Sequence, residues 1–282
     1  MGILRKRFLG TKIFRLAISY ALISAVAILS FLPLCWLFVS SFKTAKEIAR
    51  IPPTFFPENP TIRTYRYLFK EMRFGRYFIN TLIVAGGITF LIIITSSLGG
   101  YVFAKFDFRF KEFIFVFLIS TMMIPFVTIM LPLYVMISDF GWVNRFEGLI
   151  VPMCLSAFGM FLMRQFIENI PTSLIEAARM DGASEWWIYF RVILPLALPA
   201  VSALGIFSFM WSWNNLLWPL LVISKKDMYT VTLAIAALQW EAGIRYDVVV
   251  TGTALSVLPV MAVYAFASKA FIRGLSFTGL KY

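Results

Sequence analysis

Residues 77–104 form a run of 28 residues without one charged side chain. In a water-soluble domain every face of such a run would need a protein partner, whereas about 20 apolar residues in a helix are enough to cross a bilayer. Further charge-free runs cover residues 113–138, 192–224 and 248–268. With the apolar stretches at 14–38 and 148–167, six candidate spans emerge: 14–38, 77–104, 113–138, 148–167, 192–224 and 248–271. Composition agrees, since 60% apolar and 14% charged residues lie outside the usual range of soluble domains. The expected fold is an all-α membrane protein with six transmembrane helices, forming one domain over residues 1–282.

Arg5, Lys6 and Arg7 precede the first apolar run, as they would in a secretory signal. That run is long and closes on no clean small-residue cleavage site, so it reads as a retained first helix. Cys35 and Cys154 fall inside spans, where a thiol acts as a small apolar filler. Neither a disulfide nor a metal site is expected from them. An N-terminus on the inner side leaves 14 Lys and Arg inside and 12 outside, eight of the latter in residues 39–76. Without that one loop the positive-inside bias is clear.

What is missing narrows the chemistry. The chain has no histidine, which removes Ser-His-Asp and Cys-His catalysis and every histidine metal motif. No P-loop occurs, so the chain is expected to bind no cofactor and to hydrolyse no ATP by itself. All fourteen carboxylates lie in loops or at span ends, which disfavours a proton-driven carrier. Sodium coupling through backbone carbonyls at broken helices stays open.

One polar interruption stands out, residues 168–191, containing "SLIEAARMDGASEWWIYFR". Ser173 and Glu176 have the spacing of a capping box. Leu174, Ala177, Ala178 and Asp181 share one face of a helix of about two turns, which Gly182 can close in the left-handed conformation. Ser184 can cap a second helix that leads into the membrane. A helix so short needs a docking surface to be stable, and two alanines would let a partner approach its backbone. The same segment also suits an amphipathic helix lying on lipid headgroups, with Trp186, Trp187 and Tyr189 at the interface.

Residues 176–178 (Glu-Ala-Ala), three further residues, Gly182, nine residues, then Val192-x-Leu194-Pro195 resemble the EAA loop of permease subunits in binding-protein-dependent ABC importers, E-A-A-x3-G-x9-I-x-L-P. Val192 replaces the pattern's Ile. "WNNLLWPLLVIS", "YTVTLAIAAL", "LSVLPVMAVYAFASKAFIRGLSFTGLKY" and, in the first outer loop, "PPTFFPENPT" resemble the carbohydrate-uptake branch, the maltose-type second permease. The resemblance implies a permease subunit that forms the translocation path with a second permease and is fed by an external solute-binding protein. It also implies two cytoplasmic ATPase subunits carrying ATP and Mg, a bacterial inner-membrane location with both termini cytoplasmic, and no nucleic-acid partner.

In that family residues 168–191 would be the cytoplasmic coupling loop between the fourth and fifth helices. Glu176, Ala177 and Ala178 would be its docking face, Gly182 its bend, Arg179 and Asp181 polar neighbours, and Leu194 and Pro195 the entry to the fifth helix. Trp211, Trp213, Asn214, Asn215 and Trp218 fall in the outer half of that helix. Aromatic rings and amides there can contact a sugar, or form an interface belt. The basic first outer loop can attract an acidic saccharide, an acidic face of a binding protein, or lipid phosphates. An ion-coupled secondary transporter and a non-transport scaffold are the alternatives to an ATP-driven permease.

Overall fold

The structure, a computed structural model, describes the backbone of residues 2–240 and 245–278 and the side chains of residues 16–238 and 245–265. In chain order the helices are α1 (Gly2–Ser40), α2 (Ala45–Ile48), α3 (Arg63–Lys70), α4 (Phe74–Lys105), α5 (Lys111–Ser120), α6 (Phe126–Asp139), α7 (Phe146–Ile150) and α8 (Ala157–Glu168). They continue with α9 (Thr172–Met180), α10 (Glu185–Ile188), α11 (Leu194–Leu196), α12 (Leu198–Trp213), α13 (Leu217–Val222), α14 (Val231–Trp240) and α15 (Tyr246–Thr278). No strand occurs among the described residues. The side chains of Arg5, Lys6 and Arg7, and those of the last span beyond residue 265, lie outside the described residues.

Among the described residues three helices are long and apolar enough to cross a membrane, and three bent helix pairs bring the number to six if each pair is one span. Helix α4, about 48 Å long at 1.5 Å per residue, crosses without a break. The third span does not run straight. Lys111–Met123 and Phe126–Asp139 meet at 98°, because Pro125 cannot continue the first helix and Ile124 turns extended ahead of it. The fourth bends by 46° between Phe146–Met153 and Ala157–Glu168. At that break Ser156 Oγ accepts from Gly159 N (2.9 Å) to start α8, and the Thr95 hydroxyl donates to the Cys154 carbonyl (3.1 Å). Polar groups freed at a break inside a membrane need such partners.

The chain packs as two compact units, Met1–Met72 with Leu238–Leu255, and Arg73–Ala237 with Ser256–Tyr282. In the first, α1 turns its described apolar side chains outward, as a lipid-facing helix does. The loop after it is folded: Lys43 is buried, with Nζ donating to the Thr54 carbonyl and lying over the Trp36 ring. Glu47 is buried too, accepting from Glu58 N at 2.7 Å.

In the second unit α4 is the central column, packed lengthwise on α8 and α12. Small residues make the close approach possible. At Gly100 an added Cβ would lie 2.5 Å from Met163 Cβ and 2.8 Å from Arg164 N. Residues 225–247, which lie between the last two expected spans, contain α14, whose Val231, Leu233 and Ala234 are buried. A ten-residue apolar helix is too short to register as a span. Asn144, at φ 59°, clasps the end of α13: its Oδ1 accepts from Ser224 N (2.7 Å) and Lys225 N (2.8 Å), and its Nδ2 donates to Ser224 Oγ (3.0 Å).

Candidate functional site

The segment between α8 and α12 is an elbow. Helix α9 ends in a Schellman motif: Gly182 N donates to Arg179 O and Ala183 N to Ala178 O, both at 3.0 Å, with Gly182 at φ +80°. Ser184 then caps α10, its Oγ accepting from Trp187 N at 3.3 Å. Both features follow from the sequence. The capping box does not form, because Pro171 takes the N-cap position and the helix starts at Thr172, leaving Ser173 inside the first turn.

The outward face of α9 also differs from the expected one. Ile175 is 1% exposed and Ala178 packs half-buried beside it, one turn on, against the apolar core. Burying one Ile stabilises by about 1.5–3 kcal/mol, so Ile175 is the principal anchor of this short helix. Ala178 therefore faces the bundle. The outer line runs through Ser173, Glu176, Ala177 and Met180, with Met180 88% exposed. Gly182, Asp181 and Trp187 line a cleft of about 610 Å³ beside it.

A polar clamp holds the elbow to the end of α4. Arg179 Nε donates to Glu185 Oε1 at 2.7 Å, and the Tyr101 hydroxyl donates to Glu185 Oε2 at 2.9 Å. The hydrogen bond to Glu185 raises the Arg179 guanidinium pKa above its ordinary value. One turn beyond Tyr101, Lys105 Nζ donates to Ile170 O (2.6 Å) and Glu168 O (3.2 Å), closing the C-terminal end of α8. The Tyr189 and Ser97 hydroxyls meet at 2.6 Å. Arg164, buried at the end of α8, forks onto both oxygens of Glu112 (2.6 and 3.1 Å) over the Phe115 ring. Sequence reading singled out none of Tyr101, Lys105 or Glu185. The spacing of Tyr101 and Lys105, one turn apart at the close of a charge-free run, was the available signal.

Leu194 and Pro195 sit in a corner rather than in a straight fifth helix. Pro195 has no N–H for the carbonyl four residues back, and the chain widens into one π-helical turn over Tyr189–Ile193. A 78° bend then separates Glu185–Leu196 from Leu198–Trp213. The first arm carries exposed Trp186, Trp187 and Phe190, a surface suited to the membrane interface.

Of the residues expected on a solute path, Trp213 and Trp218 are each 1% exposed. Their indole N–H groups donate to the Ser256 and Gly148 carbonyls, both at 3.0 Å, so they are packing residues in this conformation. Asn214 Nδ2 donates to Met210 O, and Asn215 Oδ1 accepts from Trp218 N at the start of α13. Trp211 lines a cavity of about 620 Å³ with Phe126, Phe158, Phe207, Ser156 and Ser208.

Bent spans around a long central helix, with an elbow tied to its end, define a multi-pass membrane protein with a surface-presented helical hook. The family model described as "Binding-protein-dependent transport system inner membrane component" matches residues 96–277. The chain belongs to this family. It is 33% identical over 269 residues (94% of this chain, 95% of the relative) to the arabinooligosaccharides transport system permease protein AraQ of Halalkalibacterium halodurans. It is 31% identical to the lactose transport system permease protein LacG of Rhizobium radiobacter, over 92% of this chain and 94% of that one. In fold it is similar to a chain of a bacterial ABC transporter involved in import of the acidic polysaccharide alginate, with TM-score 0.79 and 22% identity over 93% of this chain and 98% of that one.

Proposed function

We propose that this chain is one of two permease subunits of an ATP-driven importer for an oligosaccharide or related carbohydrate. Several similar permeases carry such solutes in their names, arabinooligosaccharides, lactose and diacetylchitobiose among them. The observation that carries the mechanism is the clamped elbow: a helix anchored by Ile175 presents Glu176, Ala177 and Met180 outward and is joined to α4 through Arg179, Glu185 and Tyr101. A cytoplasmic ATPase subunit, holding ATP and Mg, docks on that outer line. Its closure moves α9, and Glu185 passes the movement to α4 while the 78° corner passes it to α12.

In this reading the elbow is cytoplasmic, both termini lie on the same side in the bacterial inner membrane, and a solute-binding protein delivers cargo from outside. The chain supplies no nucleotide site of its own. An effector shifts such a system only by binding its two states differently, so docked ATPase and delivered solute must each favour one elbow position. The test is to purify the tagged chain from its native membrane in mild detergent beside a variant changed at Glu176 and Met180. Loss of a co-purifying ATPase in the variant supports the reading. Equal recovery in both, or uptake that follows an ion gradient and not ATP, overturns it.

A further inference from the structure

Helix α3 carries a charged face that the transport reading leaves without a task. Arg63, Arg66 and Lys70 recur at helical spacing and are all exposed. At 100° per residue they occupy one narrow arc, and Ile62 and Phe69, 53% and 50% exposed, border it. The opposite face is buried through Thr64 and Leu68. Among the described residues no carboxylate pairs with any of the three cations, and the exposed Glu71 just past the helix end lies outside their arc by the same helical count.

The height of α3 is fixed by its neighbours in the same unit. The Tyr65 hydroxyl meets Ser41 Oγ at 2.6 Å, just past the end of α1, and the Thr64 hydroxyl donates to Asp247 Oδ2 at 3.2 Å, at the start of α15. Arg245, paired to Asp247 at 2.9 Å, lies over the Tyr67 ring. Helix α3 is thus pinned where two membrane-crossing helices terminate. By length and composition these are the points where two apolar spans, Leu16–Ser40 and Tyr246–Ala265, give way to polar chain.

We propose that α3 is a binding site for anionic phospholipid, with Arg63, Arg66 and Lys70 on the headgroup phosphate and Ile62 and Phe69 against the upper acyl chain. Cations beside an apolar edge, at the end of a span, are the combination that holds a peripheral helix on an anionic surface. An acidic saccharide or protein face would be served by the cations as well; the place of α3 beside the ends of two apolar spans is what favours lipid. The site does not depend on which solute is carried.

The test places the full chain with its partner subunits in nanodiscs of phosphatidylcholine alone or mixed with phosphatidylglycerol. Hydrogen exchange of residues 62–70 reports the wild type, and lipid retained after purification is counted by mass spectrometry. Phosphatidylglycerol is expected to protect these amides and to be retained. The triple variant Arg63→Gln, Arg66→Gln, Lys70→Gln is expected to bind it roughly 100-fold more weakly, and Arg63→Lys with Arg66→Lys to keep it. Equal protection in the two bilayers overturns the proposal. So does a triple variant that retains its lipid but loses affinity for the solute-binding protein or for an acidic oligosaccharide.

Discussion

Gly182 closes α9 at φ +80°, and a Cβ placed there meets no atom within 4 Å. The first side-chain carbon is therefore accommodated within this chain, and the cost assigned to substitution is backbone strain. An L-residue in the left-handed region costs about 1–2 kcal/mol, less for Asn, and more when the side chain branches at Cβ. A strain of that size changes the population of the closed elbow roughly 5–30-fold. The expected order of coupling is Gly first, then Asn, then Ala and Leu together, then Val last. Leu exceeds Val in volume, so strain and crowding predict opposite ranks for that pair. The assay is solute-stimulated ATP hydrolysis by the reconstituted transporter, with membrane insertion checked for each variant. A ranking by volume, with Leu far below Val, would refute the strain argument and place a partner surface against Gly182. Equal coupling in all variants would reduce the elbow to a connector.

Three further outcomes follow from single contacts. Glu185→Gln removes the charge from a half-exposed pair, so stability is expected to fall by only about 0.2–1 kcal/mol, while coupling falls more and loses its sensitivity to salt; unchanged coupling would detach Glu185 from the relay. Trp218→Phe keeps the ring but orphans the Gly148 carbonyl, lowering stability by about 1–3 kcal/mol in thermal unfolding with solute uptake per folded transporter unchanged, whereas Trp211→Ala should do the reverse. Gly100→Ala drives a methyl into Met163 and the backbone of Arg164 and is expected to cost about 1–3 kcal/mol, while Gly86→Ala, where nothing lies within 4 Å, serves as the near-neutral control.

The spans were legible because lipid tolerates no unpaired charge, and charge-free runs mark that requirement directly. Their bends were not. Pro125 and Pro219 stand at helix starts, while Pro33, Pro132 and Pro259 lie inside helices, so proline alone does not say where a span turns. At the elbow, Gly182 and Ser184 were readable since caps are local chemistry. The clamp was hidden, because Tyr101 reaches Glu185 across 84 residues of sequence. The orientation of α9 was hidden for a related reason: Ala177 and Ala178 are equivalent in sequence, and only Ile175 docking into the core decides which of them faces out. Trp213 and Trp218 have the composition of a sugar platform, but the carbonyls that take their N–H groups come from elsewhere in the chain.

The clasp at Asn144 limits how this chain can diverge. Its backbone demands a residue that accepts the left-handed region, and its side chain must accept from two consecutive amides while donating to a hydroxyl. Glycine meets the first demand alone, glutamine the second alone, and aspartate brings a charge and no amide donor. Lys225 joins the clasp only by donating its main-chain N–H, whereas Ser224 donates its N–H and also takes the Asn144 amide on its hydroxyl. Sequence drift among related transporters that keep this connection should run freely at position 225, lightly constrained at 224, and stall at 144.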